Sequence, residues 1–358
     1  MKVFFDHTIF TLQRYGGISN YIINLAKNFS EQVDPSIVSL FHKNYYLKNS
    51  DFADKLIFYN KVGSLIKYIN KVNKIYFNHQ LKNKKPDIIH ITYSNEENFH
   101  VSKTKKVITE YDLIKEKFYY EEHKNQIKYK KILFEKVDQI ICISNNTKKD
   151  LQQEYSIDAS KISVIHLAVN KDNSFRERSL NIRPFILYVG SRLRYKNFIN
   201  AVKAYARSSK LKLNFDFVCF GGGNFLKTEE DLFKNLGIER SRIHHFEGDE
   251  LDLNYFYHKA RIFIFPSLYE GFGLPLLEAM NMECPVICSN TSSFPEIVNN
   301  AAILFDPTDI ESLEFKLEKL IYDDQLLLDL KEKGKINLNK YSWKKCANET
   351  EQLYKKII

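Results

Sequence analysis

Short apolar runs alternate with amphipathic stretches of helical length along the whole chain. The runs are rich in β-branched and aromatic residues, and most have no polar face, as strands of a parallel sheet covered on both sides require. In the front half the predicted strands are Val3–Asp6, Ser36–Phe41, Asp87–Thr92, Lys106–Glu110, Gln139–Ser144 and Ile162–Ile165. In the back half they are Phe185–Gly190, Phe215–Gly221, Ile243–Phe246, Ile262–Pro266, Pro285–Ser289 and Ala302–Phe305. The pattern predicts an α/β chain with two doubly wound parallel sheets.

A polar segment separates the two sets of strands. Residues 171–183 are mixed in charge and lack periodicity, and Pro184 follows them, which is typical of a linker. We therefore predict a front domain over residues 1–170 and a back domain over residues 171–341, with a last helix over residues 342–358 that could pack on either domain. Ligands of doubly wound sheets bind at the carboxyl ends of the strands, so the functional residues should lie in post-strand loops facing the cleft between the domains.

Composition narrows the class of protein. The 358 residues are 44% apolar and 27% charged, which suffices for two domains and excludes a disordered or fibrous protein. The five cysteines form no C-x-x-C pair, which favours a reduced, cytoplasmic compartment. A charge follows the first apolar residues too soon for a signal peptide, and no apolar run is long enough to span a bilayer. Any membrane contact should therefore be peripheral.

A basic stretch carries much of the net charge of +9. Eight lysines lie between Lys55 and Lys85, and no acidic residue lies among them. Helical spacing divides this stretch into an apolar and a basic face: Leu65, Ile69, Val72 and Tyr76 against Lys67, Lys71 and Lys74. Such a helix suits an anionic membrane surface, and a covering helix with a solvated lysine face is the alternative. We expect no nucleic-acid partner, because no DNA- or RNA-binding motif accompanies the lysines.

One strand–turn–helix segment carries the strongest chemical signal. Residues 265–280 read FPSLYEGFGLPLLEAM, with glycines at the turn and a proline in the first helical turn. The amides and the positive dipole end of that helix suit a phosphate or a sugar oxygen. Glu270 in the turn and Glu278 in the helix are placed to contact different parts of one extended ligand. The alternative is an ordinary turn with two solvated glutamates.

This segment resembles the signature of the family 4 retaining glycosyltransferases of the two-domain B-type fold, a glutamate followed after seven residues by a second glutamate. Glu270 and Glu278 satisfy it. The resemblance continues, in order and at familiar spacing, at residues 188–197, 220–223, 284–296, 301–307 and 341–343. It implies two Rossmann-like domains that face each other across a cleft (the GT-B fold), with a nucleotide-sugar donor bound mainly by the back domain and the acceptor mainly by the front domain.

The resemblance implies roles for the matching residues. Arg192 and Lys196 would hold the donor diphosphate, and cations suit that place because the leaving group gains negative charge. Glu278 would bind the ribose, and Glu270 the transferred sugar. Further donor contacts are implied for a set of glycines and helix-start residues: Gly16, Gly17, Gly222, Phe272, Gly273 and Leu274.

Two front-half residues complete the predicted catalytic set. Tyr111 and Asp112 stand where the family usually has His-Asp, so Asp112 matches and Tyr111 replaces the histidine that touches the transferred sugar. A tyrosine can offer its hydroxyl to a sugar oxygen, but it cannot become an imidazolium. An inactive scaffold that only binds nucleotide sugars therefore remains an alternative.

The residues of these motifs look most like those of mannosyltransferases of surface polysaccharide assembly. We therefore expect a hexosyltransferase that uses GDP-mannose and a saccharide or lipid-linked saccharide acceptor, with a UDP- or dTDP-sugar as the alternative donor. The chain contains no Asp-x-Asp pair, and we expect neither a metal nor another cofactor. An epimerase or phosphorylase of similar architecture would need an acid/base pair or cofactor lysine that the sequence does not show.

Overall fold

In the computed structural model, which describes residues 1–53, 57–58, 66–94 and 104–358, the chain forms two compact units. Unit 1 comprises residues 1–167 and 343–358, and unit 2 comprises residues 168–342. The chain therefore runs from unit 1 into unit 2 and returns to unit 1. Within the described ranges, no helix is both long and apolar enough to cross a membrane.

Unit 1 is built on a parallel sheet. Its described strands are β1 (Lys2–Phe5), β2 (Asp34–Ile37), β3 (Phe41–His42), β4 (Ile57–Phe58), β5 (Ile88–Ile91), β6 (Lys105–Glu110), β7 (Gln139–Cys142) and β8 (Ile162–Val164). Six of them form the sheet in the order β2-β1-β5-β6-β7-β8, and β3 pairs with β4 separately. Every residue of β5 is buried, as expected for a central strand covered on both faces.

Helices follow most strands of unit 1. Those described before the crossing into unit 2 are α1 (Thr8–Leu12), α2 (Gly17–Lys27), α3 (Tyr45–Lys48), α4 (Ile66–Lys84), α5 (Ile114–Phe118), α6 (Tyr120–Lys136) and α7 (Asn145–Tyr155). Ser144 caps α7, because its hydroxyl accepts a hydrogen bond from the Thr147 amide at 3.0 Å.

The face that α4 turns to the core agrees only in part with the one its periodicity predicts. Asn73 and Phe77 are its buried residues, whereas Val72 is exposed. The Asn73 amide accepts from the backbone N–H groups of Leu40 and Phe41 at 2.9 Å and donates to the Phe41 carbonyl at 2.9 Å. A polar side chain that satisfies three backbone groups is stable in the interior. The predicted apolar face is therefore wrong at Val72, whereas Ile69 and Tyr76 are half-buried.

The solvent side of α4 mixes apolar and basic residues. Tyr68, Val72 and Ile75 are exposed, and so are Lys67 and Lys71. Three residues of the predicted faces or patch lie outside the described residues: Lys55, Lys61 and Leu65. The exposed part of α4 is thus both apolar and positively charged, rather than a lysine face opposite an apolar one.

The hydrogen bonds of Asn73 also explain why the strand predicted over residues 36–41 differs from the observed one. The strand predicted over residues 36–41 ends at Ile37, and Phe41 belongs to β3 instead. The backbone N–H groups of Leu40 and Phe41 bond the Asn73 side chain, so they are not used in a ladder with β1.

Unit 2 contains a second six-stranded parallel sheet. Its strands are β9 (Phe185–Val189), β10 (Asp216–Phe220), β11 (Ile243–Phe246), β12 (Ile262–Phe265), β13 (Val286–Ser289) and β14 (Ile303–Phe305). All six lie where the sequence predicts strands. Their order, β11-β10-β9-β12-β13-β14, is the 3-2-1-4-5-6 order of doubly wound nucleotide-binding folds.

Eight helices follow the strands of unit 2: α8 (Phe198–Arg207), α9 (Ser209–Asn214), α10 (Lys227–Asn235), α11 (Glu250–Lys259), α12 (Leu274–Asn281), α13 (Phe294–Val298), α14 (Ile310–Ile321) and α15 (Asp324–Leu338). Residues 171–183 contain neither helix nor strand, and none of them is fully buried, but the segment is held by ion pairs. Arg176 and Arg178 both form ion pairs with Asp252 of α11, at 2.7 and 2.8 Å. The segment predicted as a linker is therefore attached to unit 2.

The last helix, α16 (Trp343–Ile357), returns to unit 1. The Trp343 ring lies 6.2 Å from that of Tyr21 in α2. The Tyr354 hydroxyl lies 2.5 Å from Nδ1 of His90 on β5, and Ser30 donates to Glu351 at 2.9 Å. The helix thus supplies buried polar and aromatic partners to the sheet of unit 1.

Candidate active site

The central feature of unit 2 is the switch point of its sheet, between β9 and β12. Chain connections leave these two neighbouring strands in opposite directions, which opens a crevice at their carboxyl ends. Lys196 lies in the loop after β9, and Glu270 lies in the loop after β12. The two strongest site predictions therefore belong to adjacent loops at the place where such sheets bind ligands.

Lys196 and Glu270 form an ion pair across this switch point. Lys196 Nζ lies 2.6 Å from Glu270 Oε1, and the side chains are only 15% and 14% exposed. Ser267 donates to the same carboxylate oxygen at 2.9 Å. The rings of Tyr195 and Phe265 lie 5.4 and 5.6 Å from the ammonium nitrogen. A cation held among rings and partly withdrawn from water acts more strongly on a ligand charge than a solvated one.

Serines after β13 hold the turn that carries Glu270. The Glu270 amide donates to Ser292 Oγ at 3.1 Å, and the Glu270 carbonyl accepts from Ser292 and Ser293 at 2.5 and 3.0 Å. Ser293 also donates to the Phe272 carbonyl at 2.9 Å. The main chain of the turn is therefore fixed before a ligand binds. The sequence marks these serines only as part of the resemblance, and their role in the turn was missed.

The turn leads directly into α12. Gly273 precedes the helix with a φ of +99°, and a Cβ there would come within 2.9 Å of the Leu276 side chain, so both conformation and space require glycine. The positive end of α12 lies at Gly273 and Leu274, as the sequence predicts.

Glu278 lies in the second turn of α12 and is partly buried. The Tyr257 hydroxyl donates to its Oε2 at 3.3 Å. Burial raises the pKa of Glu278 to about 7, and the charge of Glu250 adds to this effect. The Glu278 carboxyl therefore titrates near neutral pH.

Arg192 is bonded to the neighbouring glycine loop. Its Nε lies 2.7 Å from Glu229 Oε1, and the side chain is almost fully buried. The guanidinium donates to three carbonyl oxygens of the loop after β10: Gly221, Gly223 and Asn224. Arg192 thus braces this loop, while Lys196 is the cation that contacts Glu270. The diphosphate contact of Arg192 stays a prediction.

Gly222 is the tightest point of that loop. Its φ is +78°, and a Cβ there would lie 2.7 Å from the Gly190 carbonyl oxygen, at the end of β9. Glycine is therefore required where the loops after β9 and β10 meet. The donor contact of Gly222 stays a prediction.

The remaining predicted residues lie in unit 1. Gly16 and Gly17 begin α2, and the Gln13 side chain occupies the space beside Gly16. Tyr111 is buried after β6, where its hydroxyl donates to the Thr92 carbonyl at 3.4 Å, and burial raises its pKa far above the ordinary value. Asp112 accepts from an amide at the start of α5. Their contacts with a donor stay predictions.

Tyr111 and Asp112 line a cavity of about 680 Å³, a size typical of small-molecule sites. Residues after β1, β5 and β6 surround it, so it lies at the switch point of the unit 1 sheet. Its polar lining includes Gln13, Tyr93, Ser94, Glu110, Lys115, Glu116, Gln126 and Lys130.

A buried charge cluster at this cavity was not predicted. Lys130 Nζ lies 2.6 Å from Glu110 and 2.7 Å from Glu116, and Tyr155 also donates to Glu116. Burial raises the pKa of Glu110 to about 7 despite the nearby ammonium group. Burial would lower the pKa of Lys130, but the two carboxylates raise it. Glu110, the one charge at the end of an apolar strand, was the available signal.

In the described parts of the chain, no group of three or more histidine, cysteine or carboxylate side chains is placed to hold a metal ion. The five cysteines are all buried and unpaired.

Two family models match the chain in succession. The model described as Glycosyltransferase Family 4 matches residues 15–173, and the model described as Glycosyl transferases group 1 matches residues 170–337. The chain belongs to family 4 of the glycosyltransferases. This confirms the resemblance that Glu270 and Glu278 indicate.

Curated relatives agree with family 4 membership, and a solved structure shares the fold of the chain. O-antigen chain mannosyltransferase B of Escherichia coli is 29% identical over 253 residues, which are 65% of each chain. O-antigen chain mannosyltransferase RfbU of Salmonella typhimurium is 28% identical over 184 residues, 51% of this chain and 50% of the relative. The chain thus spans less than two thirds of the length of these relatives. A glycosyltransferase structure from Rickettsia africae matches with a TM-score of 0.74 at 22% identity, over 99% of this chain and 98% of that one.

The structural match and the two doubly wound sheets confirm the predicted GT-B fold class. Within family 4, the segment with the two glutamates lies in the residues matched by the group 1 model, and Tyr111 and Asp112 lie in those matched by the family 4 model.

Proposed function

We propose that the protein is a retaining glycosyltransferase that moves mannose from GDP-mannose to a saccharide or lipid-linked saccharide in surface polysaccharide assembly. The observation that carries the proposal is the Lys196–Glu270 pair, held beside the positive end of α12 at the switch point of unit 2. The names of the O-antigen mannosyltransferases that the chain resembles support mannose as the sugar and a surface polysaccharide as the product.

In the proposed reaction, the bond between the anomeric carbon and the diphosphate oxygen breaks. The acceptor hydroxyl bonds the anomeric carbon on the face that the diphosphate leaves, and the diphosphate takes up the hydroxyl proton. Lys196 and the amides at Gly273 and Leu274 stabilise the negative charge that develops on the leaving group. Because these groups supply the positive charge, we expect turnover without a metal ion, unchanged by EDTA.

In this proposal the two carboxylates bind different parts of the donor. Glu270 accepts hydrogen bonds from hydroxyls of the transferred sugar, and Glu278 accepts from those of the ribose. Arg192 positions the glycine loop around Gly222, and Tyr111 offers a neutral hydroxyl to the sugar. The high pKa of Tyr111 supports that neutral role.

A thermal-shift panel of GDP-, UDP-, dTDP- and ADP-sugars in the presence of EDTA tests the donor assignment. A ligand at a hundred times its dissociation constant stabilises a protein by about 2.7 kcal/mol, so one sugar nucleotide should stand out. The expected result is a shift with GDP-mannose that Lys196→Ala abolishes. A shift with a UDP- or dTDP-sugar alone would keep the site and overturn mannose transfer from GDP-mannose.

Hydrolysis of the same donor without acceptor separates an enzyme from a scaffold. We expect slow release of GDP from GDP-mannose by the wild type and none by Glu270→Ala. Donor binding with no release and no transfer would overturn the enzymatic proposal in favour of the scaffold.

We also propose that the exposed side of α4 contacts the anionic inner face of the membrane. Lys67 and Lys71 lie there beside the apolar side chains of Tyr68, Val72 and Ile75. The protein should sediment with vesicles containing anionic phosphatidylglycerol, be released by salt, and bind less after Lys67→Glu with Lys71→Glu. Equal binding to neutral phosphatidylcholine vesicles, or binding to neither, would contradict the proposal.

A further inference from the structure

One buried ammonium group holds the loop that carries Tyr111. Lys130 Nζ lies 2.6 Å from Glu110 Oε1 and 2.7 Å from Glu116 Oε1. It also donates to the backbone carbonyl of Asp112 at 3.3 Å. An ammonium group has three N–H donors, and these three acceptors account for all of them. They belong to the residues directly before and after Tyr111 and to α5.

The side chain of Tyr111 is fixed separately. Its hydroxyl donates to the carbonyl of Thr92, the residue that follows β5, at 3.4 Å. Its ring lies 5.9 Å from that of Tyr21 in α2, edge to face. Because the hydroxyl hydrogen is directed to Thr92, the oxygen keeps lone pairs that can accept from the hydroxyl of a ligand. Tyr111 is thus held at its ring and hydroxyl, while Lys130 holds the residues on either side of it.

Stability does not account for the charges of this cluster. The side chains of Lys130, Glu110 and Glu116 are only 8%, 7% and 4% exposed, and all three line the cavity of unit 1. The rings of Phe134 and Tyr155 lie 5.8 and 5.9 Å from the ammonium nitrogen. Apolar residues of similar volume are often as stabilising as such a buried charged triad, or more so. Exceptions of this kind are expected at functional sites.

We propose that Lys130 is a positioning residue of the transfer reaction, which fixes Tyr111 where its hydroxyl meets the transferred sugar. This inference rests on the proposed function, in which Tyr111 contacts that sugar. Lys130 acts through its bonds to Glu110 and the Asp112 carbonyl, without touching the donor. A misplacement of about 1 Å, caused by a change away from the chemistry, can lower a rate roughly 10²-fold.

A charge-neutral variant separates positioning from stability. Lys130→Met with Glu110→Gln and Glu116→Gln removes the ammonium group and leaves no buried charge behind, so urea unfolding should keep a midpoint near that of the wild type. The rate of GDP release at saturating GDP-mannose should fall roughly 10²-fold. The donor affinity, measured by calorimetry, should stay unchanged, because the proposed donor contacts lie mainly in unit 2. A wild-type rate in the folded triple variant would overturn the proposal.

A double-mutant cycle shows through which residue Lys130 acts. Tyr111→Phe removes the hydroxyl, so a further misplacement of this side chain has little left to change. The three charge-neutral substitutions should therefore lower the rate much less in Tyr111→Phe than in the wild type. A merely structural cluster would give equal losses in both backgrounds. Such additive losses would overturn the proposal.

The control is an ion pair at the opposite end of the same strand. Lys105 Nζ, at the start of β6, lies 3.0 Å from Asp138 Oδ1, directly before β7. Lys105→Met with Asp138→Asn should leave the rate of GDP release unchanged.

Glu110→Leu serves if the triple variant does not fold. It leaves Lys130 paired with Glu116, so no buried charge is left unpaired, and it removes the bond to the residue before Tyr111. We expect a smaller loss of rate that is again absent from the Tyr111→Phe background. A wild-type rate in Glu110→Leu would likewise overturn the proposal.

Donor measurements separate this inference from the proposed function. If another sugar nucleotide stabilises the wild type, that donor replaces GDP-mannose in the assays. If the wild type turns over its donor and the folded variants do so equally fast, the role of Lys130 fails and the proposed transferase stands. If the wild type neither binds nor turns over any sugar nucleotide, the proposed function fails, and the role of Lys130 in it fails as well.

Discussion

In both units the candidate functional residues lie at the switch point of the sheet, but the groups found there differ. In unit 2 the switch point is built from glycine turns, a helix N-terminus and one cation, Lys196, that contacts Glu270. In unit 1 the switch point is a cavity in which carboxylates outnumber cations and side-chain oxygens lack donors. The first arrangement suits an anionic ligand close to the backbone, and the second suits a neutral ligand that donates hydrogen bonds.

The difference shows that a shared sheet topology determines where a ligand binds, while the residues of the loops determine which ligand it is. Glycines bring the main chain of unit 2 close to a ligand, whereas long side chains surround the ligand space of unit 1. The comparison can therefore be tested in four ways. A charge is removed from unit 1, a charge is removed from unit 2, the pH is varied, and finally a methyl group is added at a glycine of each unit.

The largest expected effect is on the stability of unit 1. Lys130→Met leaves Glu110 and Glu116 buried without their cation, which should lower the free energy of unfolding by about 3–5 kcal/mol. Lys128→Met, at an exposed position of the same helix, is the matched control and should change little. Urea denaturation followed by circular dichroism measures both. The loss should be smaller at pH 5 than at pH 8, because the unpaired carboxyls can then take up protons. Equal stability of the two variants would mean that the cluster is not held by its charges.

The next effect is on catalysis by unit 2. Lys196→Ala removes the cation beside Glu270 and should lower the rate of donor turnover roughly 10²–10³-fold, as for loss of one contact that stabilises transition-state charge. Lys210→Ala, an exposed lysine of α9, should leave the rate unchanged. Release of nucleotide from the donor under saturating conditions is the measurement. A rate near that of the wild type would remove Lys196 from the site.

The third expected effect is a pH dependence of donor binding by unit 2. It concerns the affinity for the donor and not the stability of the protein. The pKa of Glu278 is about 7 because burial disfavours the carboxylate, and ribose hydroxyls bind the carboxylate better than the acid. Donor affinity should therefore rise from pH 5 to pH 8, by up to about tenfold for each pH unit below 7, with release of a proton.

Calorimetric titration in buffers of different ionisation enthalpy measures both the affinity and the proton. Glu278→Gln should bind more weakly at pH 8 and show no such pH dependence. A flat profile in the wild type would contradict a role of Glu278 in binding the ribose.

The smallest expected effect is a difference in stability between the alanine variants of two glycines. Gly222→Ala places a Cβ against the Gly190 carbonyl in a left-handed conformation and should cost about 1–3 kcal/mol of stability. Gly16→Ala has an extended φ and meets only the movable end of the Gln13 side chain, so stability should stay within about 0.5 kcal/mol of the wild type. Thermal unfolding of the two variants side by side checks this difference.

Much of the fold could be predicted because it depends on local patterns. Eleven of the twelve sheet strands lie within a residue or two of their predicted bounds, since buried parallel strands form apolar runs bounded by polar loops. The exception involves Asn73, whose amide replaces a strand partner for residues 40 and 41. Periodicity cannot detect this, because a polar residue inside a helix pattern marks the solvent side unless its partners are known.

The candidate site likewise contains residues whose placement could be predicted from the sequence and residues whose placement could not. Lys196 and Glu270 are joined to recognisable turns after strands, so their proximity followed from the topology. Arg192 bears the same kind of local signal, but its partners come from the loop after β10, and their carbonyl groups carry no sequence mark. The cluster of Glu110, Glu116 and Lys130 was missed because its members lie on three elements among many similar charges.

The return of the chain to unit 1 has a consequence for synthesis on the ribosome. Residues 168–342 form a continuous stretch of chain that is synthesised before α16. The sheet of unit 1 receives the Tyr354 hydroxyl against His90 and the Trp343 ring against Tyr21 only afterwards. Unit 2 therefore needs no later segment to complete its fold, whereas unit 1, although its strands are made first, stays incomplete until α16 has been made.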